Sequence, residues 1–225
     1  MGKVKYLIIQ PHSDDALFSA SHQVLSSHDV TVLTVEHNAK RCEEDKKLYE
    51  FLGHPWHHLN VEFDDQSYYG YKKQNDTLNV ELGRAYLGEF FGYSVLQDVE
   101  KELTDFIKKF VKTAKKKGKK AVVYVPLGVG HPFHIFVRDV VENCEDDFEL
   151  RFYRDFPHSY KRRSQKQMKD EIAANYELCK SYDITESADV KWELAKKFYK
   201  TQSGLLWFEQ GYIKKNLPEE VYVKK

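Results

Sequence analysis

Tyr6-Leu7-Ile8-Ile9 runs directly into Gln10-Pro11-His12-Ser13-Asp14-Asp15. A short aliphatic run that stops at a turn reads as a buried strand, and the segment after Asp15 has helical composition. One histidine and two adjacent carboxylates therefore fall on a strand-to-helix turn. Open α/β sheets bind their ligands at that carboxyl edge. Neighbouring carboxylates repel unless a cation or a shared proton separates their roles. A divalent metal on one of them, with the other free to move protons, satisfies both. Asp14 or Asp15 as a plain helix N-cap before Ala16 is the alternative reading.

Outward from this turn, strands and helices alternate. The pattern predicts strands over 4–9 and 30–35, helices over 16–26 and 42–52, and a short third strand over 57–61, with Gly53 closing the second helix. Such alternation predicts an α/β fold: a Rossmann-like, mostly parallel sheet flanked by helices, with the active site at the carboxyl edge of the strands. Residues 63–93 have no sustained period and read as a substrate-facing loop region with a short helix near 79–86. A helix over 95–115, a strand over 121–125, a helix over 133–144 and a strand over 149–153 follow. Helices over 165–181 and 189–200 complete a single domain over 1–225.

The chain has 225 residues, and its 35 Lys plus Arg balance its 35 Asp plus Glu. No global field favours nucleic acid. The run Lys115-Lys116-Lys117-Gly118-Lys119-Lys120 reads as a solvated helix end. No apolar stretch approaches the ~20 residues of a transmembrane helix, and the strand after Met1 is too short for a signal-peptide core. Cys42, Cys144 and Cys179 are scattered and form no CxxC pair. They imply reduced thiols and a cytoplasmic location. Oligomeric state is not legible.

A second turn repeats the position of the first. Gly130-His131-Pro132-Phe133-His134 also follows an apolar strand and precedes a helix, so both turns project from one edge of a parallel sheet. His12, Asp15 and His134 then make two imidazoles and a carboxylate, a common catalytic zinc set with one position left for water. Iron(II) or another divalent first-row metal suits the same ligands. Such a metal lowers the pKa of its water toward ~7. Asp14 would take the water's proton as general base, and His131 would face the developing oxyanion.

At these residues the chain resembles the PIG-L/LmbE-like family of metal-dependent N-acetylglucosaminyl deacetylases. Pro11-His12-Ser13-Asp14-Asp15-Ala16 is similar to the family's Pro/Ala-His-Pro-Asp-Asp-Glu, and Gly130-His131-Pro132-Phe133-His134 to its Gly-x-His-x-Asp-His. The resemblance implies zinc on His12, Asp15 and His134, Asp14 as general base and His131 as oxyanion stabiliser. It extends to Arg41-Cys42-Glu43-Glu44, where Arg41 is similar to a substrate-contacting arginine, and to Asp64 or Asp65, where an acidic residue is common. Tyr153-Arg154-Asp155-Phe156-Pro157 resembles a Tyr-Glu-Asp-x-Pro segment, and Tyr199-Lys200-Thr201-Gln202 a Tyr-x-Ser-Gln.

Three positions depart from the pattern: Ser13 for proline, Ala16 for glutamate, and Phe133 for an aspartate that would orient and charge His131. The function implied is zinc-dependent hydrolytic deacetylation of an N-acetylated amino sugar or its conjugate, a small-molecule or glycoconjugate amide. A catalytically weakened carbohydrate-binding protein of the same fold is the second reading, kept by Phe133. His158 is a further candidate to line the pocket. His57 and His58, adjacent in a strand, point to opposite faces and read as packing residues. Gly128-x-Gly130 has no Gly-x-x-Gly continuation and does not read as a dinucleotide site.

Overall fold

The computed structural model describes residues 4–26, 29–61, 92–144, 147–160, 164–202 and 217–225. The strands are β1 (Val4–Gln10), β2 (Val30–Thr34), β3 (Trp56–His58), β4 (Lys120–Pro126), β5 (Glu149–Tyr153), β6 (Tyr176–Tyr182) and β7 (Glu219–Lys224). They form one seven-stranded sheet in the order β3-β2-β1-β4-β5-β7-β6. β1 to β5 pair in parallel, while β7 runs antiparallel to both β5 and β6. The architecture is therefore α/β, with a mostly parallel mixed sheet flanked by helices.

The chain steps from β1 outward to β2 and β3, then returns so that β4 pairs on the other side of β1. β1 and β4 are thus direct neighbours, with Ile8 opposite Tyr124. The two turns noted in the sequence leave this one edge side by side.

Side chains alternate across β1. Leu7 and Ile9 join a core with α4 (Tyr93–Lys116) and α5 (Pro132–Glu142), whereas Ile8 joins one with α1 (Asp15–Ser19), α2 (Ser21–Ser26) and α3 (Ala39–Leu52). Both faces of the central strands are covered, which is why they read as unbroken apolar runs. In α4, Leu96, Val99, Leu103, Ile107, Phe110 and Val111 recur at helical spacing and are buried. Each such side chain contributes about 1.5–3 kcal/mol on full burial. No described helix is long and apolar enough to cross a membrane.

Four expectations need correction. The helix predicted over 16–26 is two short helices divided at Ala20, whose φ of −135° breaks the turn. Ser21 Oγ and the His22 N–H both bind Glu219, which anchors α2 in its own direction. The third strand is Trp56–His58 rather than 57–61. The helix predicted over 165–181 ends at Asn175; α6 covers 165–175, with a wider π turn at Met168–Ile172, and the chain continues as β6. β6 is the outermost strand, and five of its seven residues are exposed. An edge strand wet on both faces shows no alternation, so its charged residues looked helical. Finally, β7 extends the sheet where no strand was expected. The helix predicted over 189–200 is α7 (Ala188–Phe198), packed on the sheet through Trp192 and Ala195. The loop expectation for 63–93, including the helix near 79–86, lies almost wholly outside the described residues.

Candidate metal centre

The first turn departs from simple helix capping. Asp14 occupies the N-cap position of α1, yet its side chain makes no capping hydrogen bond. Its φ of 101° is unusual for a residue with a side chain, a kind of strain that clusters at functional sites. Gln10 Oε1 instead accepts the Ala16 N–H at 3.0 Å. The Asp15 carboxylate folds back, and its Oδ2 accepts the His12 N–H at 2.8 Å.

The second turn leaves β4 through Gly128 and Gly130, both at positive φ. A Cβ on Gly128 would lie 3.1 Å from Ile135 Cα, so only glycine lets the turn press against α5. Proline at the first helical position starts α5 after His131. His134, in the first turn of that helix, is carried back toward the sheet edge.

The two turns bring three donor atoms together. His12 Nδ1 lies 3.0 Å from His134 Nε2 and 3.2 Å from Asp15 Oδ2, and His134 Nε2 lies 3.3 Å from Asp15 Oδ2. All three residues are buried. His131 joins them, its ring centroid 4.9 Å from those of both His12 and His134. Ligand atoms of His12, His131 and His134 all fall within 4.8 Å of one another, a group able to hold a metal ion. His158, in the turn His158–Tyr160, adds a fourth imidazole 4.8 Å from His131 and 5.1 Å from His134.

Burial opposes ionisation of Asp15, but the His134 charge, with hydrogen bonds from His12 and His134, holds its carboxyl well below the usual range. Burial likewise opposes a charge on His134. Asp15 and Asp155 outweigh it and push His134 up to about 9. Asp15 and Asp155 therefore favour a positive charge on His134 between them.

Asp155 stood in the 153–157 segment of the sequence without a role. It follows β5, the strand beside β4, and its Oδ1 accepts from His134 Nδ1 while Oδ2 accepts the Val129 N–H at 3.2 Å. The signal was its position, since it stands just after a third parallel strand of the same edge.

Arg41 also reaches the site, though it is buried. Its Nη1 meets Glu36 Oε1 at 3.1 Å, and its Nη2 donates to the Ser13 carbonyl at 3.0 Å and stands 3.8 Å from Asp14 Oδ1. The Asp14 side chain is 15% exposed, more than those of His12, Asp15 or His134. Phe133 is fully buried in the core between the sheet and α5, with its ring edge-on to His12 at 5.3 Å.

Other candidates fall elsewhere. His57 packs on Phe106 and His58 on His37 and Trp56, in β3, two strands from β1. Burial, with Asp45 nearby, pushes the Cys42 thiol up to about 11, so it is no nucleophile at neutral pH. Asp64 and Asp65 lie outside the described residues. Comparison with protein-family models, with curated proteins and with solved structures finds no match.

Proposed function

We propose that this protein is a metal-dependent hydrolase that removes an acetyl group from an N-acetylated amino sugar or its conjugate, in the manner of the PIG-L/LmbE-like deacetylases. The observation that carries the reading is the triangle of His12 Nδ1, Asp15 Oδ2 and His134 Nε2, with sides of 3.0, 3.2 and 3.3 Å. Ligands placed tetrahedrally at zinc–nitrogen and zinc–oxygen distances stand roughly 3.3 Å apart. The donor set, two imidazoles and a carboxylate, suits zinc or iron(II). The carboxylate behind His134 is the usual outer partner of such a ligand.

His12, Asp15 and His134 would hold the ion. When bound, it supplies Lewis acidity and a water acidic enough to ionise near neutral pH. Asp14 takes the proton of the attacking water and returns it to the amide nitrogen as the C–N bond breaks, giving acetate and a free amine. Arg41, beside Asp14, holds that carboxylate on the open side of the turn. His131 donates a hydrogen bond to the acyl oxygen as negative charge develops there. The strand order reverses between β1 and β4, and open parallel sheets bind ligands outside the carboxyl ends of the strands at such a point.

The test is release of acetate and free amine from a panel of N-acetyl amino sugars by zinc-loaded protein. Replacing Asp14 by Asn should lower kcat by about 10²–10⁴-fold with the metal retained. Buried Phe133, standing where the resemblance expects an aspartate beside His131, favours the second reading of a weakened carbohydrate-binding protein. Saturable sugar binding with no acetate release would establish that reading instead.

A further inference from the structure

Gln10 is the last residue of β1 and is fully buried. Its two ends face different partners. Oε1 accepts the Ala16 N–H at 3.0 Å and the Tyr49 hydroxyl at 3.3 Å. Nε2 donates to Asp45 Oδ2 at 2.7 Å and to Thr34 Oγ1 at 2.8 Å. Asp45, fully buried in α3, also accepts from Thr34 Oγ1 at 2.7 Å and from the Tyr199 hydroxyl at 2.8 Å. A carboxylate on one side and two donors on the other fix the amide in a single orientation. Oε1 is therefore always aimed at α1.

The N–H that Gln10 takes is the one an N-cap side chain ordinarily satisfies. An aspartate at the N-cap accepts from the second or third helical N–H, and Ala16 is the second. Asp14 holds that position and makes no such bond. The cap comes from the strand side, and Asp14 stands at φ 101° with its carboxylate toward Arg41.

We propose that Gln10, braced by Asp45, is a positioning residue for Asp14: it caps α1 in Asp14's place and so keeps the Asp14 carboxylate turned outward for proton transfer. This rests on the role given to Asp14 above. Gln10 hydrogen-bonds to Ala16, Tyr49, Asp45 and Thr34, not to the donor atoms of His12, Asp15 or His134, and so acts through the turn. Without it, the orphaned Ala16 N–H would draw Asp14 into ordinary N-cap geometry.

The test compares Gln10→Leu, of similar bulk and without hydrogen bonds, with the exchanged pair Gln10→Glu and Asp45→Asn. The exchange keeps an acceptor for Ala16 and restores the Gln10–Asp45 hydrogen bond with donor and acceptor reversed. In Gln10→Leu, a crystal structure should place an Asp14 carboxylate oxygen within about 3.2 Å of the Ala16 or Leu17 nitrogen. Bound metal should stay at the wild-type stoichiometry, and kcat should fall about 10- to 100-fold with KM little changed. The exchanged pair should recover most of the loss. Should Gln10→Leu fail to fold, Gln10→Met carries the same comparison.

An unmoved Asp14 with undiminished kcat in the leucine or methionine variant would overturn the inference, as would an exchanged pair as impaired as that variant. Asp14→Asn separates this from failure of the underlying reading. If Asp14→Asn is fully active, the proton-transfer role itself is lost. If it is inactive while Gln10→Leu behaves as wild type, only the positioning role is lost.

Discussion

His134 Nδ1 donates to Asp155 Oδ1 across 2.6 Å, and neither side chain reaches solvent. The bond fixes which imidazole nitrogen faces the cluster. With Nδ1 committed to Asp155, Nε2 is left toward His12 and Asp15. Outer carboxylates of this kind are worth 10–100-fold in metal affinity (roughly) when removed. Asp155→Asn should therefore weaken zinc binding by about that factor without removing any of the three donors. Competition titration against a chelator measures it, and an affinity unchanged from wild type would contradict the assignment.

Arg41 and Glu36 form the next test. Glu36 is fully buried, and Arg41 is the cation that meets it at 3.1 Å. Truncating one partner of a buried pair typically costs about 3–5 kcal/mol. Arg41→Met should lower the unfolding free energy by that amount, and adding Glu36→Gln should recover part of it. Denaturant unfolding of both variants decides. A loss under about 1 kcal/mol, the scale of an exposed pair, would show that the guanidinium does not neutralise Glu36. Activity should fall with the single change as well, because Asp14 loses its neighbour.

Glu219, the first residue of β7, gives a pH prediction. Burial opposes its charge, yet Lys191 Nζ at 3.0 Å and His22 Nδ1 at 2.7 Å outweigh burial and hold the carboxyl down at about 2. A folded-state value below the unfolded one stabilises the native state above the ordinary pKa of 4.5, and that stability fades as pH falls toward 2. The shift corresponds to about 3 kcal/mol. Glu219→Gln should therefore destabilise strongly at pH 7 and much less near pH 2.5, as read from unfolding midpoints at both. An equal loss at the two pH values would refute the ionic account.

The central strands and both turns were legible because the sheet is covered on both faces: β1, β2 and β4 are largely apolar, and the runs of β1 and β4 stop where chemistry-bearing residues begin. Parallel order put both turns at one edge, and the pairing of β4 beside β1 makes them neighbours. What escaped reading depends on partners distant in sequence. Tyr176–Tyr182 is a strand because it pairs with Glu219–Lys224, some 40 residues on, and not because of its own pattern. The break between α1 and α2 depends on Glu219, nearly 200 residues away. Gln10 read only as the start of the turn, because Asp45 and Ala16 on either side of it are brought there by the fold. Arg41 was read as a substrate contact, and the structure places its guanidinium in a buried pair beside Asp14.

The central claim is that His12, Asp15 and His134 hold one metal ion while Asp14 does not. Elemental analysis of the purified wild-type chain beside His12→Ala, Asp15→Ala, His134→Ala and Asp14→Asn tests it most directly. The account predicts one zinc or iron per chain in the wild type and in Asp14→Asn, and loss of the metal in each of the other three. A wild type that takes up no metal, or alanine variants that retain a full equivalent, would contradict it.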